Sequence, residues 1–312
     1  MIPTWVDRAG GSARRPPDIG APSRPDRPNA RRAPAPERPA GASLTGYRSA
    51  LLVGGGSAIG EAVVAAVLAV PGRVVLAGRP SSRLDEAANR LRTAGHRVDC
   101  MPYDAGWATQ PTNGMVDAVW ADHGGFDLVV IAVGCMSAGR EGLGEAGPGG
   151  RDRAAAPEEA SDEAVSVPGL EALLRTNLVG PALVANRTAG HLAAQGHGAL
   201  VVVTSAAAVR PRQEVLAYAA AKQSLDTLAR GLDQRLRPHG ARCLVVRPGQ
   251  VDTPMTAGMP RVPLTTGPEH VAERVRAALA GDRCVVWSPR GMGLLVTALR
   301  LIPSALLPSR LR

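Results

Sequence analysis

Lysine is almost missing from this chain: of its 36 basic residues 35 are arginine, and the single lysine is Lys222. Aromatic residues are nearly as scarce, with one Phe, three Tyr and four Trp in 312 residues. So few rings exclude nucleic-acid recognition by rows of stacked bases. The four cysteines, Cys100, Cys135, Cys243 and Cys284, stand far apart with no Cys-x-x-Cys pair. Zinc and redox motifs are thereby excluded, and reduced buried thiols are the expectation. The six histidines are equally scattered, and no metal site is expected. No apolar run reaches the ~18 residues that a membrane-spanning helix needs. The pairs Arg14–Arg15 and Arg31–Arg32 lead into Pro and charge rather than an apolar segment, so no export signal is read and a cytoplasmic location is expected.

Acidic residues are outnumbered at the two ends, where the charge is highest. The formal net charge is +9, yet residues 1–43 carry eight Arg against four acids and residues 283–312 carry five Arg and no acid. The two ends account for the whole excess and the middle is balanced, so a polyanion-binding domain surface is not expected and no nucleic-acid partner is assigned.

What is present is a repeating alternation. Residues 1–43 are rich in Pro, Arg, Ala and Gly without periodicity and read as a disordered tail. From residue 44 to 290 the chain reads as one domain of short Val/Leu-rich runs, at 50–53, 73–77, 97–101, 127–133, 199–204, 242–247 and 283–287. Helical patterns separate them at about 59–69, 82–94, 112–123, 169–194, 215–237 and 268–280. Continuous apolar strands alternating with helices imply an α/β fold, a doubly wound parallel sheet of seven strands covered on both faces. Residues 137–168, rich in Gly, Ala and acid, read as a flexible insertion. Residues 291–312, apolar with arginines, read either as a terminal helix packed on the domain or as a segment lying at a lipid surface.

Chemistry enters with GGGSAIG, Gly54 to Gly60, after the first strand and opening a helix, where backbone N–H groups can approach a pyrophosphate. After the second strand stands Arg79, next to Gly78, where an acid would otherwise bind a ribose 2′-hydroxyl. A guanidinium there either suits a 2′-phosphate, favouring NADP over NAD, or merely closes the strand. Tyr218 and Lys222 are four residues apart in a run of helix formers, so both side chains leave one face. A tyrosine acting as acid or base near neutrality needs its pKa of about 10 brought down, and a neighbouring cation does that. Arginine would supply charge, but not a compact ammonium able to lose a proton, which explains a lone lysine. Ser205, at a strand end thirteen residues before Tyr218, can hold a substrate carbonyl or merely form a turn. Asn177, in LLRTNLVG, is unfavourable in a helix and reads as functional or as a kink.

In this order, glycine-rich turn, Asn177, Ser205, Tyr-x-x-x-Lys and RPGQVDT resemble the short-chain dehydrogenase/reductase family. The resemblance implies a Rossmann-type sheet, a nicotinamide cofactor (NADP or NAD) and a homodimer or homotetramer. It also implies a catalytic tetrad. Tyr218 would be the general acid/base, Lys222 would lower its pKa and bind the nicotinamide ribose, Ser205 would orient the carbonyl, and Asn177 would hold a relay water. Cofactor contacts implied in the same way are Gly54, Ser57, Ile59 and Gly60 in the turn, Asp104 near the adenine and Gly134 under the adenosine ribose. Pro248, Gly249, Val251 and Thr253 would lie along the nicotinamide. Val53, Ala58 and Ala132 depart from the family pattern of Thr, Gly and Asn, and Ala58 narrows the approach to the pyrophosphate. A narrower resemblance, carried by SALLVGGGSAIG, LVVRPGQVDTPMT, PLTTGPEHVA and LRLIPSALLPSRLR, is to decaprenylphosphoryl-2-keto-ribose reductases. It implies a keto-sugar substrate on a polyprenyl phosphate, a flavin oxidase partner, a place in cell-wall arabinan synthesis and peripheral membrane contact through the C-terminal segment.

Overall fold

The computed structural model describes residues 46–106, 112–136, 167–211 and 215–301, all within one compact unit, Pro36–Arg312. The segments read above as a tail and as an insertion lie outside the described residues, apart from 167–168. Seven strands form a single parallel sheet: β1 (Ser49–Val53), β2 (Arg73–Gly78), β3 (Arg97–Pro102), β4 (Leu128–Ile131), β5 (Ala199–Val203), β6 (Arg242–Pro248) and β7 (Val285–Ser288). Their spatial order is β3-β2-β1-β4-β5-β6-β7. The chain thus runs outward from β1 to β3, then returns to β4 beside β1, leaving a crevice at the carboxyl ends of β1 and β4.

Alternation within each strand feeds two cores. In β1, Ala50 and Leu52 face one layer and Leu51 and Val53 the other. The first layer is closed by α1 (Ala58–Val67), α2 (Ser82–Thr93) and α7 (Pro268–Leu279). The second is closed by α3 (Thr112–His123), α5 (Gly180–Gln195) and α6 (Leu216–Leu236). Two further helices, α4 (Val167–Leu174) and α8 (Arg290–Leu301), flank the carboxyl edge. Residues 169–194, expected as one helix, are interrupted at Arg175–Val179 by a π-helical turn centred on Asn177. In α8, Met292 and Val296 are buried while Leu294 and Leu295 stay exposed.

The expectation of buried thiols holds for Cys243 alone; Cys135 and Cys284 are half-buried and Cys100 is exposed on the edge strand β3, and all four are free. Cys100 lies on an edge strand, where the sheet has no further neighbour, whereas Cys135 and Cys284 stand in the connections after β4 and before β7.

One ion pair fixes the helix that carries Tyr218 and Lys222. Asp226, buried on α6 one turn beyond Lys222, accepts two 2.7 Å bonds from Arg247 of β6 and a third at 3.0 Å from Arg230. Removing the carboxylate leaves Arg247 half-buried without its counter-charge. Asp226→Ala should therefore lower the unfolding free energy by about 3–5 kcal/mol. Urea denaturation reads this directly, and a loss below about 1 kcal/mol, the range of an exposed pair, would show that α6 does not depend on the anchor.

Candidate active site

The glycine-rich turn takes its shape from crowding. Gly54 has φ +94°, a left-handed conformation, and a Cβ there would lie 2.8 Å from the Ala132 carbonyl oxygen. Its N–H and that of Gly55 both donate to the Ala77 carbonyl, at 2.8 and 3.0 Å, folding the turn over the end of β2. Ser57 caps α1 by accepting from the Gly60 N–H at 3.2 Å. Gly60 lets α1 lie close on the sheet, because a Cβ there would meet Leu52 Cδ1 at 2.5 Å and Ala132 Cβ at 3.0 Å. Ala132, one of the departures from the family pattern, is thus the small residue on which α1 rests. Ile59 packs partly buried on the α1 layer, Val53 is buried at the end of β1, and Ala58 is the first residue of α1.

Arg79 follows β2 and is exposed. Arg83, in the first turn of α2, stands beside the glycine turn, where a Cβ on Gly56 would lie 3.4 Å from Arg83 Cβ. Asp104 follows β3 and turns its carboxylate back on the Gly106 N–H at 2.8 Å. A dinucleotide fits this edge. The glycines leave a cradle that any Cβ would fill, and the open N-terminus of α1 with its turn N–H groups suits an anionic pyrophosphate.

From the cradle, a chain of close contacts leads to the phenol. Ala132 borders Gly54, and two residues on stands Gly134, where a Cβ would lie 2.9 Å from Asn177 Oδ1 and 3.2 Å from Lys222 Nζ. Asn177 is fully buried and clamps the main chain of Cys135. Its Oδ1 accepts from the Cys135 N–H at 3.1 Å, and its Nδ2 donates to the Cys135 and Leu173 carbonyls at 2.9 and 3.0 Å. The π-helical turn swings the amide off the ordinary helical spacing and onto this loop. The kink read from the sequence is present, and it turns the Asn177 amide onto the loop after β4.

Lys222 is buried, and its ammonium donates to the Val133 carbonyl at 2.8 Å and the Val203 carbonyl at 3.3 Å, bridging the chain just beyond β4 to the end of β5. Burial without a carboxylate pulls its pKa down from 10.5 to about 8, and Cys135 works weakly in the opposite sense. Tyr218 is buried one turn earlier on the same face, with Lys222 Nζ 5.8 Å from its ring centroid. Ser205, just beyond β5, accepts from the Ala207 N–H at 3.1 Å and shares a hydrogen bond with the phenol.

The expected direction of the tyrosine shift is corrected here. Burial raises the Tyr218 pKa, the Ser205 hydrogen bond works against that rise, and Cys135 adds to it. Lys222 spends its contacts on two carbonyls rather than on the phenolic oxygen, so desolvation wins. Cys135, which sequence reasoning set aside as an ordinary thiol, sits at the centre of the group, tied to Asn177 and electrostatically felt by both Tyr218 and Lys222. Only its place after β4 could have flagged it.

On the far side, Pro248 ends β6 and the Gly249 N–H donates to Ser288 of β7 at 2.8 Å. A Cβ on Gly249 would collide with Met292 of α8. Val251 bridges to Thr266, and Thr253 forms a reciprocal capping box with Thr256. Around this loop Met255, Met259, Val262 and Leu264 are exposed, as are Leu216 beside Tyr218 and Leu294 and Leu295 on α8.

Comparison with known proteins follows the same lines. The family model described as short chain dehydrogenase matches residues 48–261. An uncharacterised oxidoreductase of Streptomyces coelicolor is 37% identical over 264 residues, 83% of this chain and 94% of that protein. One from Mycobacterium tuberculosis strain H37Rv is 34% identical, over 83% of this chain and 95% of that protein. A cis-4-hydroxycyclohexanecarboxylate dehydrogenase of Sinomonas cyclohexanicum is 29% identical, over 75% and 90%. Among solved structures, a metagenomic short-chain oxidoreductase in complex with NADP superposes with TM-score 0.58 at 24% identity, covering 78% of this chain and 94% of that one; at such identity the likeness speaks for the fold.

Proposed function

Because the chain belongs to the short-chain dehydrogenase family and is an NAD(P)-dependent oxidoreductase, we propose that it works as a carbonyl reductase whose catalytic set is Tyr218, Lys222, Ser205 and Asn177. A single observation carries this reading. A buried tyrosine hydrogen-bonded to Ser205, with the chain's only lysine one turn on, stands at the carboxyl edge of the sheet beside the glycine cradle.

Gly54, Ser57, Ile59 and Gly60 would hold the pyrophosphate, Asp104 and Gly134 the adenosine, and Pro248, Gly249, Val251 and Thr253 the nicotinamide end. Arg79, with Arg83, would receive a 2′-phosphate, which favours NADP. A nicotinamide held there would supply the hydride that a keto carbon accepts. Ser205 Oγ holds the substrate oxygen, and Tyr218 Oη gives it a proton as negative charge builds there. Burial keeps the Tyr218 phenol protonated at neutral pH, so the proton that reduction consumes is in place. The ammonium of Lys222, anchored by two carbonyls, has a third N–H for the nicotinamide ribose. Asn177 acts mainly as a positioning residue for Gly134 and Cys135, and the remaining lone pair of its Oδ1 is where a relay water would bind.

For substrate, we favour the 2-keto group of a decaprenylphosphoryl keto-pentofuranose, whose reduction yields decaprenylphosphoryl arabinose. The supports are the matching sequence segments and the exposed apolar side chains of the loop after β6 and of α8, which suit a prenyl chain. On this reading a flavin oxidase supplies the ketone, contact with a membrane surface is peripheral, and the enzyme assembles as a homodimer or homotetramer. No helix of the described residues is long and apolar enough to cross a membrane. The relative named for a cyclohexane alcohol favours a second reading, an alicyclic ketone. Turnover of the lipid-linked keto-pentose and of 4-oxocyclohexanecarboxylate, each with NADH and NADPH, separates them. We expect the lipid substrate to be preferred by at least about 100-fold in kcat/KM, the discrimination that remote binding contacts can supply; preference for the ring ketone would replace the first reading by the second.

A further inference from the structure

Along the edge strand β7, away from the dinucleotide cradle, lies a cleft of about 540 Å³ lined by Arg274 of α7, Arg283 before β7, Trp287 in it and Arg290 opening α8. We propose that this cleft is a second anion site, built to take a phosphate ester.

The cluster brings three guanidiniums around one cleft whose lining holds no acid, unlike the arginines that the fold pairs with carboxylates. Arg247 is matched to Asp226, Arg237 to Asp233, Arg187 to Asp117 and Arg90 to Glu61. Among the described residues, none of Arg274, Arg283 and Arg290 forms an ion pair. Of their guanidiniums only that of Arg274 has a hydrogen bond within the fold, donating to the Trp287 carbonyl at 3.3 Å. Three guanidiniums facing one space repel one another. Burial lowers the Arg274 pKa below the usual arginine value, and the charges of Arg290 and Arg283 lower it further. Like charges held together in a cleft mark a place where an anion repays the cost.

The frame around the cluster is rigid. Buried Arg242 of β6 donates to the carbonyls of Leu279, Gly281 and Arg283, fixing the loop that presents Arg283. Phosphate is a better match than carboxylate, because its three free oxygens can take guanidinium forks from several directions at once. The volume exceeds what a bare ion fills and leaves room for the organic part of an ester. Arg247 stacks on the Trp287 ring at 5.1 Å, so the indole is a fixed wall and a fluorescent reporter of the site.

The phosphate could be borne by a soluble ester or by a lipid, and the test distinguishes them. Full-length protein and an Arg283→Gln/Arg290→Gln variant are titrated with glycerol phosphate while tryptophan fluorescence is followed. In parallel, both are sedimented with phosphatidylcholine vesicles, with and without phosphatidylglycerol. Binding to the dinucleotide cradle is common to both proteins and cancels. We expect the wild type to bind in one arm and the variant to bind about tenfold or more weakly, with turnover of a soluble ketone unchanged. A response to glycerol phosphate assigns a soluble ester, and one confined to phosphatidylglycerol vesicles assigns a lipid. No binding in either arm up to about 10 mM, or equal binding by both proteins, overturns the proposal.

Discussion

Tyr218→Phe is expected to lower turnover by about 10²–10⁴-fold, the contribution of a positioned proton donor, while dinucleotide affinity changes little. The phenyl ring keeps its place, because the side chain is buried between α6 and the turn that follows β5. What disappears is one hydroxyl and its hydrogen bond to Ser205. Single-turnover kinetics with a fluorescence titration of cofactor binding would separate the two effects. Unchanged turnover would remove Tyr218 from the chemistry, whereas equal loss of binding and rate would mean that the hydroxyl serves cofactor binding rather than the chemical step.

Lys222→Arg is expected to be nearly as damaging, with kcat/KM down by at least about 100-fold despite conserved charge. The ammonium fits between the Val133 and Val203 carbonyls with Gly134 close against it, and a planar guanidinium is too large for that space. Near-normal rates in this variant would defeat our explanation for the chain's single lysine. The wild-type pH dependence provides an independent check. The Lys222 pKa is lowered by folding, from 10.5 to about 8, so between those values the unfolded chain holds a proton that the folded protein has released. Its contribution to stability therefore rises with pH across that window. Ligand affinity moves the other way, because a ribose and an anionic cofactor favour the ammonium. Dinucleotide affinity should weaken by up to about tenfold per pH unit above about 8. Calorimetric titration at a series of pH values would show it, and Lys222→Met should flatten the profile.

The alternation of strands and helices was readable because the inner strands of a sheet covered on both faces must be apolar nearly throughout, and each crossover helix must be amphipathic. Runs such as VVV at 201–203 and LVVI at 128–131 leave little choice. The pairing of Tyr218 with Lys222 was equally legible, since four residues in a helix is a local distance. The split of the helix at Asn177 was not, because a π-helical turn is stabilised by the amide's bonds to Cys135, 42 positions away. Nor was the sense of the Tyr218 shift readable, since it depends on which atoms the lysine finally touches and on how much water the packed helices exclude.

By itself, then, the order of residues determined those features that rest on local geometry and on the burial of apolar stretches: the parallel sheet, the glycine turn and the face shared by Tyr218 and Lys222. Tertiary structure alone decided what depends on atoms far apart in the chain. It committed the ammonium to two strand-end carbonyls, placed Cys135 under Asn177, and drew Arg274, Arg283 and Arg290 around one cleft. Charge and hydrogen bonding act over a few ångströms of space, and a sequence records separations along the chain instead.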